Sequence, residues 1–154
     1  MEHKVSDRVE LREVDQTNFY DCLDLNRKSS LYVGDAVYVL AEAYLYRHNS
    51  TAYLIYDGET AVGMVILLDK PEEKNLCYSF TDLFIADDFL GRGYGHKAAA
   101  AIIGKFRAEN LRKKVEIQVH NSNKPAKKVY ENIGFVKTGA AEWDEGFDVM
   151  ELYI

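Results

Sequence analysis

Apolar and polar residues alternate along residues 8–14 (RVELREV), the period of a strand with one buried face. Asp15 follows as a helix N-cap, and the spacing after it predicts a helix over about 16–26, with Phe19, Cys22 and Leu23 turned inward. Beyond the loop SSLYVGD, residues 36–48 place Val37, Leu40, Ala41, Tyr44 and Leu45 on one side of a second helix. Residues 51–69 hold two strand-like runs around Asp57-Gly58, a pair suited to a tight hairpin turn. After the polar loop KPEEKN, residues 76–86 (LCYSFTDLFIA) are almost continuously apolar and aromatic, which predicts a central strand covered on both faces. A turn, DDFLGRGYG, leads into a helix over about 94–110, and residues 113–120 alternate as another strand. Ser122 or Asn123 caps a helix that has Pro125 in its first turn and stops at Gly134. The chain closes with two strands that turn near residues 144–146. The order β-α-α-β-β-β-α-β-α-β-β is that of an α/β (α+β) fold, with a mixed central sheet of about six to seven strands and flanking helices. The late strand-helix-strand unit is long enough for a right-handed parallel crossover.

A chain of 154 residues suits one domain over its whole length and can bury a real core. Acidic residues outnumber basic ones 25 to 19, giving a net charge of −6, which disfavours a nucleic-acid partner and suits a cationic one, or simply solubility. Cys22 and Cys77 make neither a disulfide framework nor a zinc spacing, and the four histidines show no ligand pattern, so no metal is expected. No apolar run approaches a membrane span and the N-terminal residues are too charged for a signal peptide, so the expected setting is cytoplasmic, without membrane contact.

The segment FLGRGYGHKAAAAII sets Gly91, Gly93 and Gly95 against the start of a helix. Free N–H groups at a helix N-terminus attract anions, phosphate above all, and Arg92 and Lys97 add positive charge. The P-loop pattern fails, because His96 stands at its second glycine and Ala98 at its Ser/Thr. The dinucleotide fingerprint is met by Gly93, Gly95 and Ala98, but too few parallel strands follow, and His120 stands where its ribose-binding acid is expected.

A third pattern draws in more of the chain. A central apolar strand, GRGYGH opening a helix, a further strand and then NKPAKKVYENIGF resemble the GNAT acetyltransferases over about residues 76–135. Gly93 and Gly95 match the family's [QR]-x-x-G-x-[GA] turn, and Asn123, Ala126, Tyr130, Gly134 and Phe135 follow in the family's order; Leu90 departs from it, standing where Gln or Arg is usual. The resemblance implies acetyl-CoA as donor and a small-molecule amine as acceptor. It implies that the donor lies where two parallel strands splay apart, at residues 83–86 and 116–120. Backbone groups near Phe84, Ile85 and Ala86 would hold the pantetheine arm. Gly91, Arg92, Gly93, Tyr94, Gly95, His96 and Lys97 would cradle the pyrophosphate, and Asn123 would bond a pantetheine amide or serve only as a helix cap. Tyr130 would be the general acid and would also contact the cofactor. Some relatives carry a carboxylate at the position of Gln118; here the general base is open among Asp82, Glu116, His120 and water. Carboxylates and rings in the first helices and the 139–148 loop (Asp35, Glu42, Glu142, Trp143, Asp144, Glu145) suit a cationic amine. In length, element order and FI…GRGYG the chain is similar to small bacterial spermine/spermidine acetyltransferases, so a polyamine is the leading expected acceptor. A protein or peptide amine, or CoA binding without turnover, are the alternatives, and an exposed strand of the C-terminal pair offers a homodimer contact.

Overall fold

Along β3 (Thr60–Lys70), Met64 and Ile66 enter the core on one face of the sheet and Val65 and Leu67 the core on the other, and all four are buried. A strand covered on both sides needs helices on both sides. The computed structural model describes residues 5–27, 32, 35–70 and 76–154; the loops expected at SSLYVGD and KPEEKN fall largely outside them. The other elements are β1 (Glu10–Glu13), α1 (Phe19–Leu23), α2 (Ala36–Leu45), β2 (Ser50–Asp57), β4 (Cys77–Ile85), a 3-10 turn (Asp87–Phe89), α3 (Tyr94–Glu109), β5 (Lys114–His120), α4 (Lys124–Ile133), β6 (Val136–Ala140) and β7 (Phe147–Tyr153). They form a seven-stranded sheet in the order β1-β2-β3-β4-β5-β7-β6, in which only β4 and β5 run parallel. The expected element order holds, and β4 is the middle strand.

Helices α3 and α4 cover one face, where Ile102, Ile103, Phe106 and Tyr130 pack on Val115, Ile117 and Met150. Helices α1 and α2 cover part of the other, where Cys22, Val39 and Ala43 pack on Leu54, Tyr56 and Phe84. Among the described residues, no helix is long and apolar enough to cross a membrane.

Two helices depart from the sequence pattern. The first is α1, which begins at Phe19, because the Asp15 carboxylate closes a turn by accepting from the Thr17 N–H (2.7 Å) and hydroxyl (2.6 Å) instead of capping a helix. Cys22 is buried there as expected, but Leu23 and Phe19 are exposed. The second is α2, capped by Asp35 through the Tyr38 N–H (3.0 Å), which buries Ala36, Val39 and Ala43 while Val37, Ala41, Tyr44 and Leu45 face outward. The expected inner face is therefore rotated: small alanines let the helix lie close on the sheet, and the bulkier aromatic side is left outside.

β4 carries an irregularity that sequence alternation does not show. Ile66 pairs with Thr81 and Met64 with Phe84, so β4 has one extra residue there. Asp82 stands at that bulge with φ +53, in the left-handed region. Before the bulge Tyr78 and Phe80 face α3; after it Leu83 faces that side, and Phe84 and Ala86 face α2. Gly63 accommodates the displaced strand, for a Cβ there would stand 2.2 Å from the Phe84 carbonyl oxygen.

Candidate active site

The parallel strands β4 and β5 pair only at Tyr78↔Val115. That end is pinned: the Tyr78 ring stacks on Phe106 at 4.2 Å, and its hydroxyl accepts the Leu111 N–H at 3.0 Å. Beyond it each strand follows its other neighbour. β5 stays with β7 from Lys114↔Tyr153 to His120↔Phe147, and β4 stays with β3 to Gly63↔Ile85. A gap of about 370 Å³ opens between them, floored by Phe80, Leu83 and Ile117, with Asn123, Ala126 and Tyr130 entering from α4. The Phe84 carbonyl points at Gly63 and the Ala86 N–H donates to Val62 O (2.8 Å), so both turn toward β3. Strand alternation leaves the polar groups of Leu83 and Ile85 facing the gap.

At the end of β4 the chain makes its 3-10 turn and enters the glycine loop. Gly91 (φ +76) and Gly93 (φ +83) are left-handed, and a Cβ at either would meet open space, so backbone conformation and not crowding requires glycine here. None of the N–H groups of residues 91–96 donates to a described residue, which leaves a cluster of free donors at the N-terminus of α3. The Arg92 guanidinium lies 5.7 Å from the Phe89 ring and is exposed, as is His96. The Tyr94 ring is buried and its hydroxyl donates to Asp57 Oδ2 (2.5 Å); burial, then the Asp57 carboxylate, push that hydroxyl up to about 12. The Lys97 ammonium donates to the Ser6 carbonyl. Tyr94 and Lys97 thus anchor the helix with their side chains, and the loop offers N–H groups and Arg92 to an anion. Leu90, 47% exposed, contributes no donor.

Tyr130 and Asp82 are among the titratable groups that flank the gap. Tyr130 is held by a helix capped at one end by Asn123, whose side chain accepts the Ala126 N–H (3.4 Å), and stopped at the other by left-handed Gly134. Its ring meets Phe80 and Phe135 edge-on at 5.6 and 5.9 Å, and burial raises its phenol well above the ordinary range. Asp82 faces Glu42 of α2. Burial, then the hydrogen bond and negative charge of Glu42, push the Asp82 carboxyl from 3.8 up to about 8. On the α2 side a larger basin of about 880 Å³ adjoins the gap, bordered by Tyr46, Ile66 and Lys70. Gap and basin share Glu42, Thr81, Gln118 and Trp143 as walls.

The family model for the acetyltransferase (GNAT) family matches residues 11–135, most of the chain. The chain belongs to the GNAT acetyltransferase family. No curated protein sequence matches it. Among solved structures it is similar to the aminoglycoside acetyltransferase AAC(6')-Ib in complex with coenzyme A, at 20% identity over 94% of each chain with a TM-score of 0.76. It is also similar to an acetyltransferase from Thermus thermophilus, at 18% identity over 98% of this chain and 100% of that one, with a TM-score of 0.71. At these identities the likeness speaks for the fold, and the splayed β4/β5 pair is the GNAT arrangement expected.

Within this acetyltransferase the remaining residues singled out by sequence divide. His120 borders the gap, with Nδ1 accepting the Ser122 N–H (3.2 Å) and meeting the Ser122 hydroxyl (2.7 Å). Glu116 lies on the same strand but pairs with Lys114 (3.5 Å) and borders neither cavity. Gln118 accepts the Trp143 indole N–H at 2.7 Å, joining β5 to the loop before β7. Sequence reasoning put Leu83 on the donor's strand but named only the backbone of Phe84, Ile85 and Ala86, and it gave Glu42 no role beside Asp82. The two adjacent polar residues Thr81-Asp82 inside an apolar strand were the available sign of a bulge.

Proposed function

We propose that this acetyltransferase transfers the acetyl group of acetyl-CoA to the primary amine of a small cationic acceptor, with Asp82 as general base and Tyr130 as general acid. The observation that carries the reading is that gap and basin share Glu42 as a wall, and that the gap is also lined by Asp82 and Tyr130. The free N–H groups of residues 91–96 fit a pyrophosphate, and the outward-facing polar groups of Leu83 and Ile85 fit an amide-bearing arm. Bound acetyl-CoA supplies a thioester carbonyl as the acyl donor. Asp82, once ionised, accepts a proton from the acceptor's ammonium and frees the nitrogen lone pair. Tyr130, its phenol protonated across the neutral range, holds a proton inside the gap for the departing sulfur. Trp143 and Tyr46 present rings, and Glu42 and Asp82 carboxyls, to a cation.

Polyamines and aminoglycosides share this chemistry: several ammonium groups on one flexible or hydroxylated frame. A polyamine is the leading acceptor; related structures are complexes with paromomycin and acetyl-CoA or with ribostamycin and coenzyme A. A homodimer would use β6, the exposed edge strand of the sheet. The test is thiol release from acetyl-CoA across polyamines, aminoglycosides and peptides, with mass analysis of the products. The expected result is N-acetylation of a polyamine or aminoglycoside. Release with peptides alone would overturn the acceptor class, and CoA binding without release for any acceptor would overturn the enzyme reading.

A further inference from the structure

Asp82 lines the gap from the β4 bulge, and Glu42, from α2, lines both gap and basin. Asp82 Oδ2 and Glu42 Oε2 are both buried, and neither has a donor from any neighbouring protein group. Two ionised carboxylates cannot satisfy each other: each only accepts. Both side chains nevertheless line the same gap, and the hydrogen bond and charge of Glu42 add to burial in raising the Asp82 carboxyl. A proton between them turns two unsatisfied acceptors into one hydrogen bond and removes a like-charge contact.

Among the described residues the gap itself offers no lysine or arginine to neutralise the pair; Lys70 and His48 border the adjoining basin on which Glu42 also stands. Facing the gap are Tyr38 from α2, Tyr32 from the preceding segment, His120 from β5 and Tyr130 from α4. Tyr38 feels both carboxylates, which raise its own phenol above the ordinary range. The backbone invests in this placement. Asp82 adopts a left-handed conformation that non-glycine residues rarely take, and it lines the gap from there.

We propose that Glu42 is a positioning residue for the acetyltransferase: its carboxyl and that of Asp82 share a single proton, which sets the ionisation of the base and holds it at the mouth of the acceptor basin. The inference rests on the reading of Asp82 as general base, but its structural part does not. Burial is the largest cause of the raised Asp82 carboxyl; the hydrogen bond and negative charge of Glu42 add to it, so removing that charge should lower the pH at which Asp82 ionises. An arriving ammonium replaces the shared proton, so acceptor binding releases a proton to solvent.

The experiment follows side-chain carboxyl ¹³C resonances against pH in the full-length free protein, comparing wild type with Glu42→Gln and using Asp82→Asn for assignment. The same pH range is covered by kcat/KM for whichever amine is turned over. The expected result is an Asp82 titration well above the ordinary carboxylate range in wild type. It should fall by about one unit or more in Glu42→Gln, with the acid limb of kcat/KM falling alongside. An ordinary Asp82 titration in wild type, or one unmoved by Glu42→Gln in a variant that retains the wild-type melting temperature, overturns the proposal. A melting temperature lost with Glu42→Gln is met by Glu42→Asp, which keeps the acid and must keep the raised titration. A raised titration that falls in Glu42→Gln, while Asp82→Asn leaves turnover intact, supports the proton-sharing pair and overturns only the assignment of Asp82 as base.

Discussion

Tyr130 illustrates how a side chain's role follows from its burial. One of 11 tyrosines, it is set apart by a helix with a fixed start at Asn123 and a fixed stop at Gly134, which turn it toward the β4/β5 gap. Burial raises its phenol well above the ordinary range. Tyr130→Phe should therefore leave CoA affinity nearly unchanged and lower kcat by about a hundredfold or more, the range of a general acid; steady-state kinetics with the active amine checks this. Unchanged kcat would remove Tyr130 from the reaction. The motif spacing made Tyr130 legible from sequence. Glu42 was legible only as one acid among several, because its pairing with Asp82 depends on how α2 is rotated. Glu116 and Asp82 read alike in sequence, yet a lysine two residues away claims the first and burial isolates the second.

At the scale of elements, the hairpin at Asp57-Gly58, the α4 caps and the closing strand pair followed from local chemistry, since turn and cap residues act on their immediate neighbours. The α2 face did not. Its sequence is apolar around most of the helix, and which side goes inward is decided by how close the helix can approach the sheet, which favours Ala36 and Ala43. The β4 bulge was hidden for a related reason: a nearly continuous apolar strand carries no alternation for an extra residue to disrupt. That bulge depends on Gly63. In Gly63→Ala the new methyl would meet the Phe84 carbonyl oxygen at 2.2 Å and Ile85 Cα at 3.2 Å. The substitution should destabilise the protein by about 1–3 kcal/mol and weaken CoA binding, because the shifted segment carries Ile85 to the gap. Thermal melting and CoA titration measure the two effects, and a variant matching wild type in both would show that the strand end is not tightly set.

The whole molecule converts one interruption in pairing into a site. A seven-stranded sheet is continuous except where its central parallel pair parts after Tyr78↔Val115. Helices on opposite faces then reach the opening from both sides, α4 with Tyr130 and α2 with Glu42. The element order was enough to foresee the parallel crossover, and the family resemblance implied that the pair splays. Neither was enough to foresee the carboxyl pair, which exists only once both layers are assembled. That pair governs pH behaviour. With its ionisation displaced from 3.8 to about 8, Asp82 favours the fold most when protonated, so its contribution to stability is full below about pH 4 and is lost as pH rises to about 8. Under the proposed mechanism catalysis runs the other way, because a general base must be ionised. The most direct test is the pH dependence of kcat/KM for thiol release with the active amine, in wild type and in Asp82→Asn. Wild-type activity is predicted to rise about tenfold per pH unit on its acid side and level off near pH 8. The Asp82→Asn rate is predicted to be lower by about a hundredfold or more and to lack that limb. A wild-type profile unchanged by Asp82→Asn would contradict it.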